Sequence, residues 1–324
     1  MKLAHLRTFV GIVDNGGVAR AASRMNLTQS AASRQIGTLE AELGITLFDR
    51  IGRRVHLTAE GEDLLRYCRR VLVEAESVGE RARALKSGQA SGVLRVGATP
   101  QVIENLLADF LMRYRGRHPG IEVRLVEEGG ARLPSRLERG DVQLAIMPHG
   151  DNEFRARLLY PMYVLAVLPV RHRLGRRGLL EVADLANEPV LRLSQTFASH
   201  LWFEAACQVA HVRPRVLLES GAPQALIALA RTGHGVAIVP TPVRIPRDGV
   251  RVVPLVHRGS PIGRWATVAW DPRRFLSQSA EQFATELVAQ VRRKYPGSDH
   301  TKRAPPLPRP KEPDRLISEA DDLF

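Results

Sequence analysis

Between residues 3 and 87 apolar residues recur at helical spacing and Pro is absent, so this stretch is expected to be helical. A first helix is expected from about His5 to Asp14, with Leu6, Phe9, Val10 and Val13 on one face. Asn15-Gly16-Gly17 ends it, since glycine readily takes the left-handed conformation that closes a helix. A second helix covers Val18 to Met25, Asn26-Leu27 forms a turn, and Thr28 caps a third helix that runs to Leu43 and stops at Gly44. Ala32, Ile36, Leu39 and Leu43 then line one buried stripe. From about Ala59 to Ser87 one long helix is expected. Along it Leu64, Cys68, Val71, Ala75, Val78, Ala82 and Leu85 alternate spacings of four and three, a heptad seam. A partner helix from a second copy would cover it, or packing inside the subunit. Gly88 to Gly92 reads as a flexible hinge.

From residue 93 the pattern changes. Short apolar runs (Val93–Gly97, Ile121–Val126, Val142–Met147) alternate with amphipathic helices around Glu104–Tyr114 and up to Arg139, which implies βαβ units and a mostly parallel sheet. From about Ser298 the prolines at 305, 306, 308, 310 and 313 predict a disordered or polyproline-like tail.

Composition bounds the class. At 324 residues the chain fits two or three domains, each able to bury a core. It has no apolar run long enough to span a bilayer, and its start, MKLAHLRTFV, lacks the apolar core and cleavage site of a secretion signal. Cys68 and Cys207 are too few for a disulfide framework and lack metal-ligand spacing. These features predict a cytoplasmic protein without membrane, metal or cofactor. The net charge of +13 points to a polyanion, yet residues 1–92 carry only +4 and residues 93–297 carry +10. The charge alone would therefore put nucleic acid on the wrong part of the chain.

The third helix has the chemistry that composition does not locate. Gln29, Ser30, Ser33 and Arg34 lie off its apolar stripe, near its start. Gln pairs bidentately with adenine, Arg with guanine, and Ser takes a base edge or a phosphate. Two short helices with a tight turn, the second polar at its N-terminal end, make a helix-turn-helix; a plain three-helix bundle with a solvated face is the alternative. Two extended runs, Ile45–Arg50 and Val55–Thr58, flank the basic tip Gly52-Arg53-Arg54. They describe a β-hairpin wing, whose Arg50, Arg53 and Arg54 suit phosphates or a minor groove.

The string AASRMNLTQSAASRQIGTLEAELGITLFDRIGRRVHLTAEGEDLL closely resembles the DNA-binding module of LysR-type transcriptional regulators. It departs at Ser30, where the family often has proline, and at Thr28, which replaces the usual serine cap. By position the resemblance implies DNA contacts for Thr28, Gln29, Ser30, Ser33, Arg34 and Gln35, with Arg50, Arg53 and Arg54 at the wing. It also implies a homodimer or homotetramer. The strings LRVGATP, RHPGIEVRLVE, LERGDVQLAIMP and TGHGVAIVP resemble the co-inducer-binding domain of the same family, itself similar to periplasmic solute-binding proteins.

The expected fold class is therefore α/β and multidomain. A winged helix-turn-helix (1–58) and a linker helix (59–92) precede a two-lobed effector domain (93–297), with lobe one at 93–163 and 265–297 and lobe two at 164–264; the tail is 298–324. Ligands in such folds sit beyond strand ends, against helix N-termini. Thr99, Pro100, Gln101, Ser194, Gln195, Phe197 and Gly221 lie in three such segments. Each reads singly as an ordinary helix cap, and only the resemblance implies that they converge. Arginines such as Arg113, Arg171 and Arg176 suit an anionic effector if they face it, and are otherwise a solvated surface.

Enzymatic readings fare worse. Ser194, His200, Asp184 and His211 lack a nucleophile-elbow motif, and Gly233-His234-Gly235 is neither a dinucleotide loop nor a P-loop. The expectation is a regulator that binds operator DNA and a small molecule. Effector binding would then shift lobe closure, the spacing of the DNA-binding pairs, DNA bending and recruitment of RNA polymerase.

Overall fold

The computed structural model describes residues 1–51, 54–87, 92–150 and 153–310. The chain divides into two compact units, Met1–Ser91 with Glu138–Asp141, and Gly92–Leu137 with Val142–Phe324. Among the described residues no helix is long and apolar enough to cross a membrane, and no group of side chains has metal-ligand geometry.

The N-terminal unit opens with α1 (Leu3–Asp14), α2 (Val18–Arg24) and α3 (Gln29–Leu43). Gly16 and Gly17 turn the chain between the first two at positive φ. The hairpin β1 (Phe48–Ile51) and β2 (Arg54–Leu57) pairs antiparallel, Phe48 opposite Leu57, and α4 (Ala59–Ser87) follows. The core gathers Leu6, Phe9, Ile12, Ala21, Ile36, Leu39 and Leu47. Leu43, expected on the buried stripe, is instead exposed, because α3 ends at Gly44 before another element can cover its last turn.

The heptad on α4 divides. Cys68 is buried in the N-terminal core with Leu72, and Leu64 packs against the same cluster, so these two expected seam residues are satisfied within the subunit. Val71, Val78 and Ala82 are exposed and Ala75 half-buried; the Leu85 side chain and the expected hinge at 88–91 lie outside the described residues.

In the second unit β3 (Gly92–Ala98) leads into α5 (Pro100–Val102), which continues through a π-helical turn (Ile103–Leu107) into α6 (Ala108–Arg117). Then come β4 (Ile121–Glu127), α7 (Leu133–Arg139), β5 (Leu144–Pro148) and the long β6 (Arg155–Pro169). Next are β7 (Leu180–Glu181), β8 (Pro189–Leu193), α8 (Ala198–Val209), β9 (Arg215–Ser220), α9 (Pro223–Arg231) and β10 (Val236–Pro240). The hairpin β11 (Val250–His257) and β12 (Ser260–Pro261) precedes β13 (Gly263–Trp270) and α10 (Gln278–Val291).

The β3–β4, β3–β5, β8–β9 and β8–β10 pairs are parallel, as the alternation predicts. The sheet is nevertheless mixed, because β6 and β13 run antiparallel to their neighbours. β6 changes partner along its length: Arg155 to Tyr163 pair with β13, and Val164 to Val167 pair with β10. One strand thus belongs to two sheets, and each sheet carries its own helices. At the change Thr241 is fully buried; its hydroxyl accepts from the Tyr163 N–H at 2.5 Å and donates to the Tyr163 carbonyl at 3.0 Å.

The tail departs from expectation. Ser298–His300 form a 3-10 turn, Thr301 is buried, and Leu307 enters the core around Leu226, Val243 and Ile245. Proline forbids helix and sheet, but an extended segment needs only one apolar anchor and a groove to keep a defined path. Residues 311–324 lie outside the described residues.

Candidate nucleic-acid interface and effector cleft

α3 is fixed from below and at both ends. Ala32, Ile36 and Leu39 are buried, the Thr28 hydroxyl accepts from the Ala31 N–H at 3.1 Å, and Gly44 closes the helix in the left-handed conformation at φ 71°. The Glu40 carboxylate accepts from the N–H groups of Leu47 and Phe48 at 2.7 and 3.3 Å, tying the helix to the start of the hairpin. Gln29, Ser30 and Arg34 are exposed on this frame, and Ser33 is half-buried beside them. The Ser30 hydroxyl lies 3.1 Å from that of Thr28, so part of its hydrogen-bonding capacity serves the cap.

Gln35 has a second task. Its Oε1 accepts from the hydroxyl of Thr8 at 2.5 Å, and Thr8 is fully buried in α1. Gln35 therefore anchors α3 to α1 with its carbonyl end. Neither Thr8 nor Glu40 is evident from pattern alone, although a threonine among Leu6, Phe9 and Ile12 is a buried polar group that must find a partner. In the hairpin Arg50 stands opposite Val55, and Arg54 opposite Ile51; Arg53 lies outside the described residues.

In the second unit a cleft of about 40 Å³ lies where the two sheets meet. Of the expected effector residues it gathers Thr99, Gln101 and Phe197. Pro100, Ser194, Gln195 and Gly221 do not line it: Ser194 bonds Thr196 within its own turn at 3.1 Å, while Gln195 and Gly221 are exposed. Thr99 makes no side-chain cap, contrary to expectation. Ser199 and Trp202, from the first two turns of α8, enter the lining in place of the loop residues, and Met147, Met162 and Ala266 complete its apolar walls. The polar side chains that line the cleft are those of Thr99, Gln101 and Ser199. Among the described residues no lysine or arginine lines the cleft; Arg113 bonds Gln290, Arg173 pairs with Glu188, and Arg177 pairs with Asp184.

The lobes meet closely at one glycine. A Cβ on Gly129 would lie 2.5 Å from the carbonyl oxygen of Thr196, so only glycine permits this approach. Beside it the Glu128 carboxyl is opposed by burial, yet the Arg136 guanidinium holds it below the usual carboxylate range.

The family descriptions "Bacterial regulatory helix-turn-helix protein, lysR family" and "LysR substrate binding domain" match residues 3–62 and 87–292. The chain belongs to the LysR family. Among curated LysR-type relatives it is 31% identical to the HTH-type transcriptional regulator TtuA of Agrobacterium vitis, over 85% of this chain and 94% of the relative. It is 29% identical to AlsR of Bacillus subtilis, over 74% of this chain and 81% of that one. A full-length OxyR from Pseudomonas aeruginosa shares the fold at a TM-score of 0.66 and 22% identity, covering 91% of this chain and 95% of the other. CbnR, a LysR-family regulator, shares it at 0.60 and 22%, covering 90% and 99%. This LysR-family protein is a DNA-binding transcriptional regulator with an effector-binding domain. Its relatives carry the names of regulators, not of enzymes.

Proposed function

We propose that α3 reads operator DNA with Gln29, Ser33 and Arg34, while the hairpin arginines Arg50, Arg53 and Arg54 hold the phosphate backbone. The rigid presentation of an exposed polar helix face, capped by Thr28 and anchored through Gln35, carries this reading. A structure of CbnR with its target DNA, at a TM-score of 0.58 and 23% identity, offers a fold-level parallel. The DNA target places the protein in the bacterial cytoplasm.

We assign the DNA-binding domain to residues 1–58, the linker helix to 59–92 and the effector domain to 93–297, with lobes meeting at 163/164 and 264/265. The regulator works as a dimer or a dimer of dimers. Val71 and Val78, one heptad apart and 41% and 70% exposed, offer an apolar stripe to a second α4. Two α3 helices then meet two half-sites about one helical turn apart.

The effector is a small, mostly apolar molecule with one polar head that meets Thr99, Gln101 and Ser199. A carboxylate head would be received by the N–H groups that open α8, since the lining supplies no side-chain cation. A cleft of about 40 Å³ holds about two water molecules, so the effector enters as the lobes part. That movement resets the spacing of the DNA-binding pairs and, through DNA bending, the access of RNA polymerase.

The test is a footprint of the full-length protein on the DNA upstream of its own gene. The reading predicts protection of two half-sites in near-palindromic register. Protection without sequence preference would overturn it.

A further inference from the structure

A second cavity lies away from the interlobe cleft. About 1070 Å³ in volume, it opens between β6, β13 and α10 and is closed on one side by the C-terminal segment. It shares no lining residue with the cleft. Tyr160 and Tyr295 stack at 5.3 Å with planes 10° apart, and Trp265 and Trp270 line the cavity beside them. Two guanidiniums lie against these indoles, Arg157 at 6.0 Å from the Trp270 ring and Arg309 at 5.9 Å from the Trp265 ring. Tyr295 and Arg309 lie beyond the matched family segment, which ends at residue 292.

The charges are one-sided. Among the described residues Glu281 is the carboxylate of the lining, and it lies 3.5 Å from Arg157. Arg155 and Arg292 also line the cavity, both exposed, and neither takes part in an ion pair among the described residues. Two polar atoms shielded from solvent, the Tyr160 hydroxyl and the Trp265 indole N–H, have no hydrogen-bond partner. Buried polar atoms are rarely left so, and an aromatic wall with convergent cations is the composition of a ligand site.

We propose that this outer cavity is a second ligand site and takes a planar aromatic carboxylate. The ring packs against the aromatic wall beside the indole faces that Arg157 and Arg309 cover, and the carboxylate is gripped by Arg155 and Arg292. The cleft walls offer aromatic surface without any cation, so the two sites select by different chemistry. The site stands independently of the DNA-binding reading.

The three tryptophans of the chain make the test local, since Trp202 lines the cleft while Trp265 and Trp270 line the outer cavity. Full-length protein labelled with 5-fluorotryptophan, its resonances assigned with Trp→Phe variants, is titrated with naphthalene-2-carboxylate and followed by fluorine NMR. The Trp270 resonance shifts saturably and that of Trp202 does not. The variant carrying Arg155→Ala and Arg292→Ala, both exposed positions, binds at least about tenfold more weakly, as does neutral 2-naphthalenemethanol to the unaltered protein. A Trp270 resonance unmoved up to about 10 mM, a shift confined to Trp202, or equal binding by the double variant or the neutral alcohol would each overturn the proposal.

Discussion

Asn105 ties the two lobes together: its Nδ2 donates to the carbonyl of Pro242 in lobe two at 3.0 Å and to that of Gln101 in its own helix at 3.1 Å. A neutral hydrogen bond of this kind contributes about 0.5–1.5 kcal/mol. Asn105→Ala therefore shifts the lobes toward opening. Because the closed cleft is too small for an organic molecule, the variant is expected to bind effector about two- to tenfold more tightly by calorimetry. Weaker binding would mean that the effector needs the closed arrangement.

Gly129→Val bars closure outright, since its Cβ meets the Thr196 carbonyl. The expected result is a larger radius of gyration in solution scattering and a regulatory output that no longer responds to effector, with DNA affinity retained. An unchanged radius would show that the lobes do not separate at this contact.

The Thr8–Gln35 bond separates anchoring from reading. Gln35→Ala leaves a fully buried hydroxyl without its acceptor and is expected to cost about 1–3 kcal/mol, seen as a lower denaturation midpoint. Thr8→Val removes that hydroxyl and costs less, because the freed Gln35 carbonyl can turn to water. Equal losses in the two variants would contradict the asymmetry.

Both thiols are buried and raised by burial, that of Cys207 to about 11, so neither is a thiolate near neutral pH. Iodoacetamide at pH 8 is expected to leave the folded protein unlabelled and to add two groups in denaturant. Labelling of native protein at Cys68 would place that residue on a surface rather than in the N-terminal core.

How much of this was legible in the sequence depended on whether a residue's partner lay nearby in the chain. Thr28, the Ala32–Ile36–Leu39 stripe and Gly44 obey local rules and stand where the pattern puts them. Leu64 and Cys68 fit a heptad, but an apolar residue on a helix satisfies an internal core as well as an external partner, and periodicity does not distinguish them. Thr99, Gln101 and Phe197 reach the cleft, while Ser194 and Gln195 miss it by the turn that starts α8 three residues further on and brings in Ser199. Leu307 was illegible because a lone leucine among prolines reads as linker. Its groove is built by residues some 60 to 80 positions earlier, around Leu226, Val243 and Ile245.

Arg34 decides whether α3 reads base sequence. Fluorescence anisotropy of the full-length protein on its upstream DNA and on scrambled DNA, over a series of salt concentrations, compares Arg34→Ala with the unaltered chain. The expected result is a loss of about 1–3 kcal/mol on the specific site, little loss on scrambled DNA, and a salt slope changed by at most about one unit. Equal loss on both DNAs, or none on either, would contradict it.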